Sequence, residues 1–264
     1  MLCVSYVLLN RLVLGPFLLD LIYGEKYSSM KEADKRAFRL RHIGIFARTT
    51  SLLLVSKPAF MVALKSKEWS DPYSQGSNIT LGEVAFFSIM ITAGFHLFEL
   101  IFDQSLKPLL IIHHLGSIMV IHGFLPALMS LPKAQNMELN RAISMANVTL
   151  YWALLDAPLV ILSYVVAVLR STLVQGRTKI RKLFYISLRI AVFLTTLEIL
   201  VIVYLGSQNW KGLSAFQRAT ICSLQALFTG AKVWVCQRFY SAYRRQADPL
   251  ETKATRDAGA LKPE

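Results

Sequence analysis

The sequence predicts an all-α fold: a polytopic membrane protein with about seven transmembrane helices. Three observations predict it. Hydrophobic residues make up 54% of the 264 residues and charged ones 17%, with a mean hydropathy of +0.45, a balance that soluble chains of this length rarely reach. Apolar runs of about 20 residues recur along the chain, and at about 1.5 Å per residue each can cross the ~30 Å hydrocarbon layer of a bilayer. The Lys and Arg residues fall unevenly between those runs. A formal charge of +13 would point to nucleic acid in a soluble chain. Here it reads as the cytoplasmic excess of a membrane protein, and no nucleic-acid partner is expected.

The spans follow in order. Leu2 to Tyr23 is the first, weakened by Asn10, Arg11 and Gly15-Pro16; it lacks the basic start and small-residue cleavage site of a removable signal peptide. Gly24 to Arg41 reads as a polar, charged loop. The second span covers about His42 to Leu64, interrupted by Arg48 and Lys57-Pro58, and a turn-rich loop follows it. The third covers about Leu81 to Phe102 and the fourth about Lys107 to Leu131, where Pro132 breaks the helix. Arg141 to Leu169 is the fifth, kinked at Pro158. The sixth is about Leu183 to Gly206 and the seventh about Ala215 to Phe239. Three parts result: residues 1–40, an N-terminal helix and basic loop; residues 41–240, a membrane domain; and residues 241–264, a polar tail expected to be disordered.

Loop charges orient the spans. Gly24 to Arg41 carries six Lys and Arg residues and the link between Leu169 and Leu183 carries five, whereas each even-numbered connection carries at most two. That alternation predicts a luminal N-terminus and a cytoplasmic C-terminus. The sequon Asn78-Ile79-Thr80 then falls on the luminal side, against the start of a span. Three scattered cysteines offer neither a disulfide framework nor metal-ligand spacing. Cys222 and Cys236 lie roughly 21 Å apart along one helix, too far to bridge.

Polar residues inside the spans mark the candidate site, because imidazoles and charges in hydrocarbon are costly. Measured along the helices, two layers emerge. Arg48, His96, Glu99, His113, His114, Arg189 and Lys232 lie roughly 5–10 Å below the cytoplasmic surface. Lys57, His122, Asp156, Gln225 and Glu198 lie roughly 20 Å down. His96, Glu99 and Asp103 share one stripe of the third helix through their i, i+3 and i+7 spacing. The short link to the fourth helix makes the two antiparallel neighbours, which brings Glu99 and His96 toward His113 or His114. A carboxylate there fixes an imidazole's tautomer and raises its basicity. Adjacent histidines diverge by about 100°, so His113 and His114 cannot share one role.

Structural alternatives stand beside these readings. His122 alone fits an interhelical hydrogen bond. Arg48, Arg189 and Lys232 are shallow enough to snorkel. Lys57 and Glu198 fit a buried ion pair, and Asp156 fits a partner for backbone groups freed at the Pro158 kink. The site reads as lipid-facing rather than as a metal centre.

The stretch ELIFDQSLKPLLIIHHLGSIMVIHGF, Glu99 to Phe124, resembles the signature region of the TLC-domain family, which includes the ceramide synthases. In that family an aromatic-rich helix ends near an acidic residue, and after a short polar link the next helix carries the paired histidines. Glu99, Asp103, His113 and His114 match those positions. The resemblance covers roughly Arg41 to Phe239 and implies an endoplasmic reticulum protein whose six helices form a barrel around a lipid cavity. It further implies transfer of an acyl group from acyl-CoA to a long-chain amine, with His113 or His114 as general base or acyl-accepting nucleophile. Arg48, Arg189 or Lys232 would then meet CoA phosphates or a lipid head group. No bound cofactor is expected, acyl-CoA being a co-substrate, and self-association stays open.

One departure matters. Ceramide synthases carry further paired acidic residues soon after the histidines, whereas Pro126 to Leu155 holds only Glu138, and Asp156 comes late and single. The chain therefore resembles a compact family member that is not a typical ceramide synthase. Acyl transfer and a non-catalytic role in lipid binding, lipid homeostasis or trafficking both stay open. Other classes fit poorly. The third helix lacks the proton-acceptor carboxylates of a microbial rhodopsin, despite Lys232 in the seventh. Five histidines fall short of the roughly eight that a di-iron membrane desaturase needs, and the internal repeat of a transporter is missing.

Overall fold

A computed structural model describes residues 6–7, 11, 16–64, 66–103, 106–129, 137–172, 176–210 and 213–247, with side chains at 16, 120–147, 149 and 209 outside that description. Eight helices are defined within it. They are α1 (Pro16–Tyr23), α2 (Glu25–Ser28), α3 (Glu32–Ala63), α4 (Leu81–Phe102), α5 (Pro108–Met129), α6 (Met137–Thr172), α7 (Arg177–Asn209) and α8 (Ala215–Ala247). The described residues contain no strand, only an isolated bridge between Pro72 and Thr80.

Five stretches are long and apolar enough to cross a membrane by length and composition: α3, α4, Leu150–Thr172 of α6, Arg177–Gln208 of α7 and Ala215–Gln246 of α8. The described part of α5, Pro108–Met119, is a shorter apolar stretch. Leu53, Met119, Phe193, Leu200 and Val203 are exposed. That outer surface suits hydrocarbon rather than water. Most of the first expected span, Leu2 to Gly15, lies outside the described residues, as does the tail from 248 onward.

Two differences from the sequence reading are the largest, and α7 also starts earlier, at Arg177 rather than Leu183. Gly24 to Arg41 is mostly helical instead of a loop. Gly24, at φ +55°, turns the chain from α1 into α2, and α3 then begins at Glu32 and runs unbroken past Arg41. Glu32 and Asp34 occupy its first turn, where negative charge meets the positive end of the helix dipole. The second correction is at the C-terminus, where α8 continues through residues 241–247. Both extensions are polar, and hydropathy alone cannot distinguish a helix leaving the membrane from a loop. Pro58 and Pro158 likewise sit inside α3 and α6 without ending them.

The start of α4 has a local cause. Glu83 N–H donates to Thr80 Oγ1 at 3.2 Å, and Thr80 N–H donates to Glu83 Oε2 at 2.7 Å, a reciprocal capping box. The sequon's threonine is thereby committed to starting a helix. Thr80→Ala is expected to lower stability by about 1 kcal/mol, read as a lower midpoint in detergent-solubilised thermal unfolding.

Helix α3 packs on α4 and α6; α5 packs on α4, α6 and α8; and α7 packs on α6 and α8. The α3–α4 contact is polar at its centre. Ser51 Oγ lies 2.7 Å from Ser88 Oγ and 3.0 Å from Thr92 Oγ1, and Ser88 Oγ donates back to Ser51 O at 2.8 Å. Small hydroxyl residues let helices approach closely while binding one another. One apolar cluster joins Val55, Leu81, Ile89, Trp152, Ile202 and Phe228. A second joins Tyr6, Ile43, Ala47, Phe95 and Phe98, with Tyr6 Oη donating to Ile91 O at 2.8 Å.

Candidate functional site: a histidine cluster beside a cleft

Helices α4 and α5 hold the histidines. His96 is one turn before Glu99 on α4, and His113 and His114 lie in the second turn of α5. All four are buried. Glu99 Oε2 lies 3.5 Å from His114 Nε2 and 3.8 Å from His96 Nδ1. The other carboxylate oxygen, Oε1, accepts a hydrogen bond from Tyr164 of α6. His96 stacks against both members of the pair, with ring centroids 4.3 Å from His114 and 5.9 Å from His113. The pair is therefore a triplet, but its third member is His96. The side chain of His122 lies outside the described residues.

The divergence of neighbouring residues on a helix separates the pair. His113 lines a small open cleft alongside Arg48, His96, Trp152, Asp156 and Lys232. Phe228 completes the wall, its ring edge-on to both His113 and Trp152 at 5.0 and 5.4 Å. His114 turns instead toward Glu99. His113 faces the cleft.

Four charges crowd the same cleft. Lys232 of α8 hydrogen-bonds Glu198 of α7 and lies 3.3 Å from Asp156 Oδ1 of α6. Arg48 Nη1 of α3 lies 3.7 Å from the other Asp156 oxygen, and its guanidinium sits 5.8 Å from the Phe95 ring. The two expected depth layers meet here, since shallow Arg48 and Lys232 pair with the deeper Asp156 and Glu198. The expected Lys57–Glu198 pair does not form. Lys57 instead donates to Tyr73 O at 2.9 Å, leaving Glu198 to Lys232.

The expected phosphate-binding residues separate in the same way. Arg48 and Lys232 line the cleft, but two cations face two carboxylates, so no surplus positive charge remains for an anion. Arg189 is exposed and stacks on Tyr185 at 4.7 Å, so it is not among the residues lining the cleft. Asp103, half-buried at the end of α4, gives its N–H to Glu99 O at 2.8 Å.

Sequence reasoning missed Tyr164. It rests on Gly44 of α3, where an added Cβ would strike its ring and lie 2.8 Å from Phe95 Cζ. A glycine facing aromatic residues across a helix crossing is the signal, but only the packing of α3 on α6 reveals it. Trp152 was missed for the same reason; its Nε1–H donates to Gln225 Oε1 at 2.6 Å.

Comparison with protein-family models, curated proteins and solved structures gives no match to this chain. What the site does must be argued from its geometry.

Proposed function

We propose that this chain is an endoplasmic reticulum membrane protein of the TLC-domain type that transfers an acyl group from acyl-CoA to a long-chain amine. The proposed orientation is N-terminus luminal and C-terminus cytoplasmic, with α3 to α8 arranged around the lipid. The contacts α3–α4–α5–α8–α7–α6–α3 support such a ring, and the resemblance around the paired histidines supports the family.

The observation that carries the reaction is His113 in an apolar-walled cleft. The amine nitrogen attacks the thioester carbonyl and His113 takes the amine's proton. The carbon–sulfur bond breaks, and the proton passes to the departing thiolate, giving an amide and free CoA. Trp152 and Phe228 hold the acyl chain, while Glu99 orients His114 and is itself held by Tyr164.

The test is N-acyl product formation by purified protein given labelled long-chain acyl-CoA and a sphingoid amine. Product above a no-protein control is the expected result. Stoichiometric acyl-lipid binding without product would overturn it and favour a non-catalytic lipid-binding or homeostasis protein. The paired charges of Arg48, Asp156, Lys232 and Glu198 lend that second reading some support, since they can brace a cavity without reacting.

A further inference from the structure

The three imidazoles and the carboxylate beside them leave two facts unexplained by acyl transfer. First, His96, His113 and His114 each place a ring nitrogen within 4.8 Å of the others. Nδ1 of all three is buried with no hydrogen-bond partner among the described residues. A buried polar atom left unbonded costs about 1–3 kcal/mol, so an unbonded nitrogen on each of three neighbouring rings calls for a partner. Second, Glu99 is the carboxylate left over from the charge pairing. Arg48 and Lys232 are held by Asp156 and Glu198, whereas Glu99 accepts from the Tyr164 hydroxyl on one oxygen, and its other oxygen, beside the imidazoles of His114 and His96 at 3.5 and 3.8 Å, has no hydrogen bond among the described residues. A buried carboxylate keeps its charge only beside a compensating cation.

We infer that His96, His113 and His114 form a binding site for one zinc-class divalent ion, and that the ion opposes acyl transfer. Three imidazoles are the donor set of an open zinc site, leaving a fourth position free. Imidazole also selects zinc, copper, nickel or iron over magnesium and calcium, which prefer oxygen. A tetrahedral ion with Zn–N bonds of about 2.1 Å holds its nitrogens about 3.4 Å apart. The ring nitrogens, within 4.8 Å of one another, would close by up to about 1.4 Å on binding. Glu99 lies beside two of the rings, the place of the carboxylate that orients histidine ligands in zinc sites. Because His96 and His113 also line the cleft, a bound ion would sit at its edge. An ion there commits the His113 lone pair, which then cannot take the amine's proton. The binding claim stands alone; the effect on transfer rests on the acyl-transfer reading.

The test uses full-length protein without a histidine tag, stripped with chelator and titrated with zinc or cobalt. The expected result is one ion per chain, a visible cobalt absorption band and a zinc-dependent rise in Tm. His96→Gln should weaken binding at least tenfold, and Glu99→Gln about 10- to 100-fold. Each variant's Tm without metal shows that it has folded, and a folded His96→Gln protein that still gains the full zinc-dependent rise overturns the site. So does wild-type protein that takes up no stoichiometric ion. In the transfer assay, activity should fall as zinc saturates and return with chelator. Activity unchanged at saturation overturns the opposition. Absence of transfer at every zinc level overturns the acyl-transfer reading instead, and leaves ion binding to be judged on its own readouts.

Discussion

Lys232→Met is expected to destabilise the protein by about 3–5 kcal/mol, the largest loss of any single substitution in the cleft. The lysine is the shared partner of two buried carboxylates, Glu198 through a hydrogen bond and Asp156 at 3.3 Å. Among the described residues, removing it leaves Glu198 with no cation and Asp156 with only Arg48 at 3.7 Å. A charge stranded in a low-dielectric interior costs far more than an intact pair contributes. The same logic predicts the rescue. In Lys232→Met/Glu198→Gln the stranded charge is gone, and most of the lost stability should return. Unfolding midpoints of the two variants in detergent check this, and a double variant no better than the single would show that the charges are not coupled as the distances imply.

Gly44→Ala should cost about 1–3 kcal/mol, the range for overpacking a close-packed interior, and this is a net figure. Alanine is the better helix former by about 1 kcal/mol, so the change would stabilise an open position. Here the new methyl would lie 2.9 Å from Tyr164 Cδ2 and 2.8 Å from Phe95 Cζ, and neither ring can bend away. Displacing Tyr164 also takes its hydroxyl from Glu99. In a Tyr164→Ala background most of the clash disappears, and Gly44→Ala should become neutral or stabilising. If it costs the same in both backgrounds, Tyr164 is not what makes glycine necessary.

These two sites mark where sequence reading stops. Helix α4 was legible to the residue at Leu81 and Phe102, because Thr80 and Glu83 cap it and Asp103 ends its apolar run. The shared face of His96 and Glu99 was legible too, since helical spacing fixes which residues meet, whereas Asp103 falls beyond the helix in extended backbone. The short link to α5 then placed Glu99 near the paired histidines. Contacts between helices distant in sequence were not legible. Nothing in the spacing says that Lys232 of α8 meets Asp156 of α6 and Glu198 of α7, or that Lys57 finds Tyr73 instead. Helix tilt and the reach of a lysine decide those pairings, and both depend on packing. The water-exposed first turns of α3 escaped for a different reason. Hydropathy reports where hydrocarbon ends, and a helix need not end there.

The central claim is that His113, the member of the pair that faces the cleft, accepts a proton during acyl transfer. The most direct test compares product formation by wild-type, His113→Ala and His114→Ala proteins, each matched for folded fraction and for bound acyl lipid. Loss of a general base costs about 10²–10⁴-fold in rate, so His113→Ala should fall by that factor while still binding the acyl lipid. His114→Ala, which disturbs only the neighbouring ring and its contact with Glu99, should fall less. A His113→Ala protein that transfers acyl groups at the wild-type rate would contradict the account.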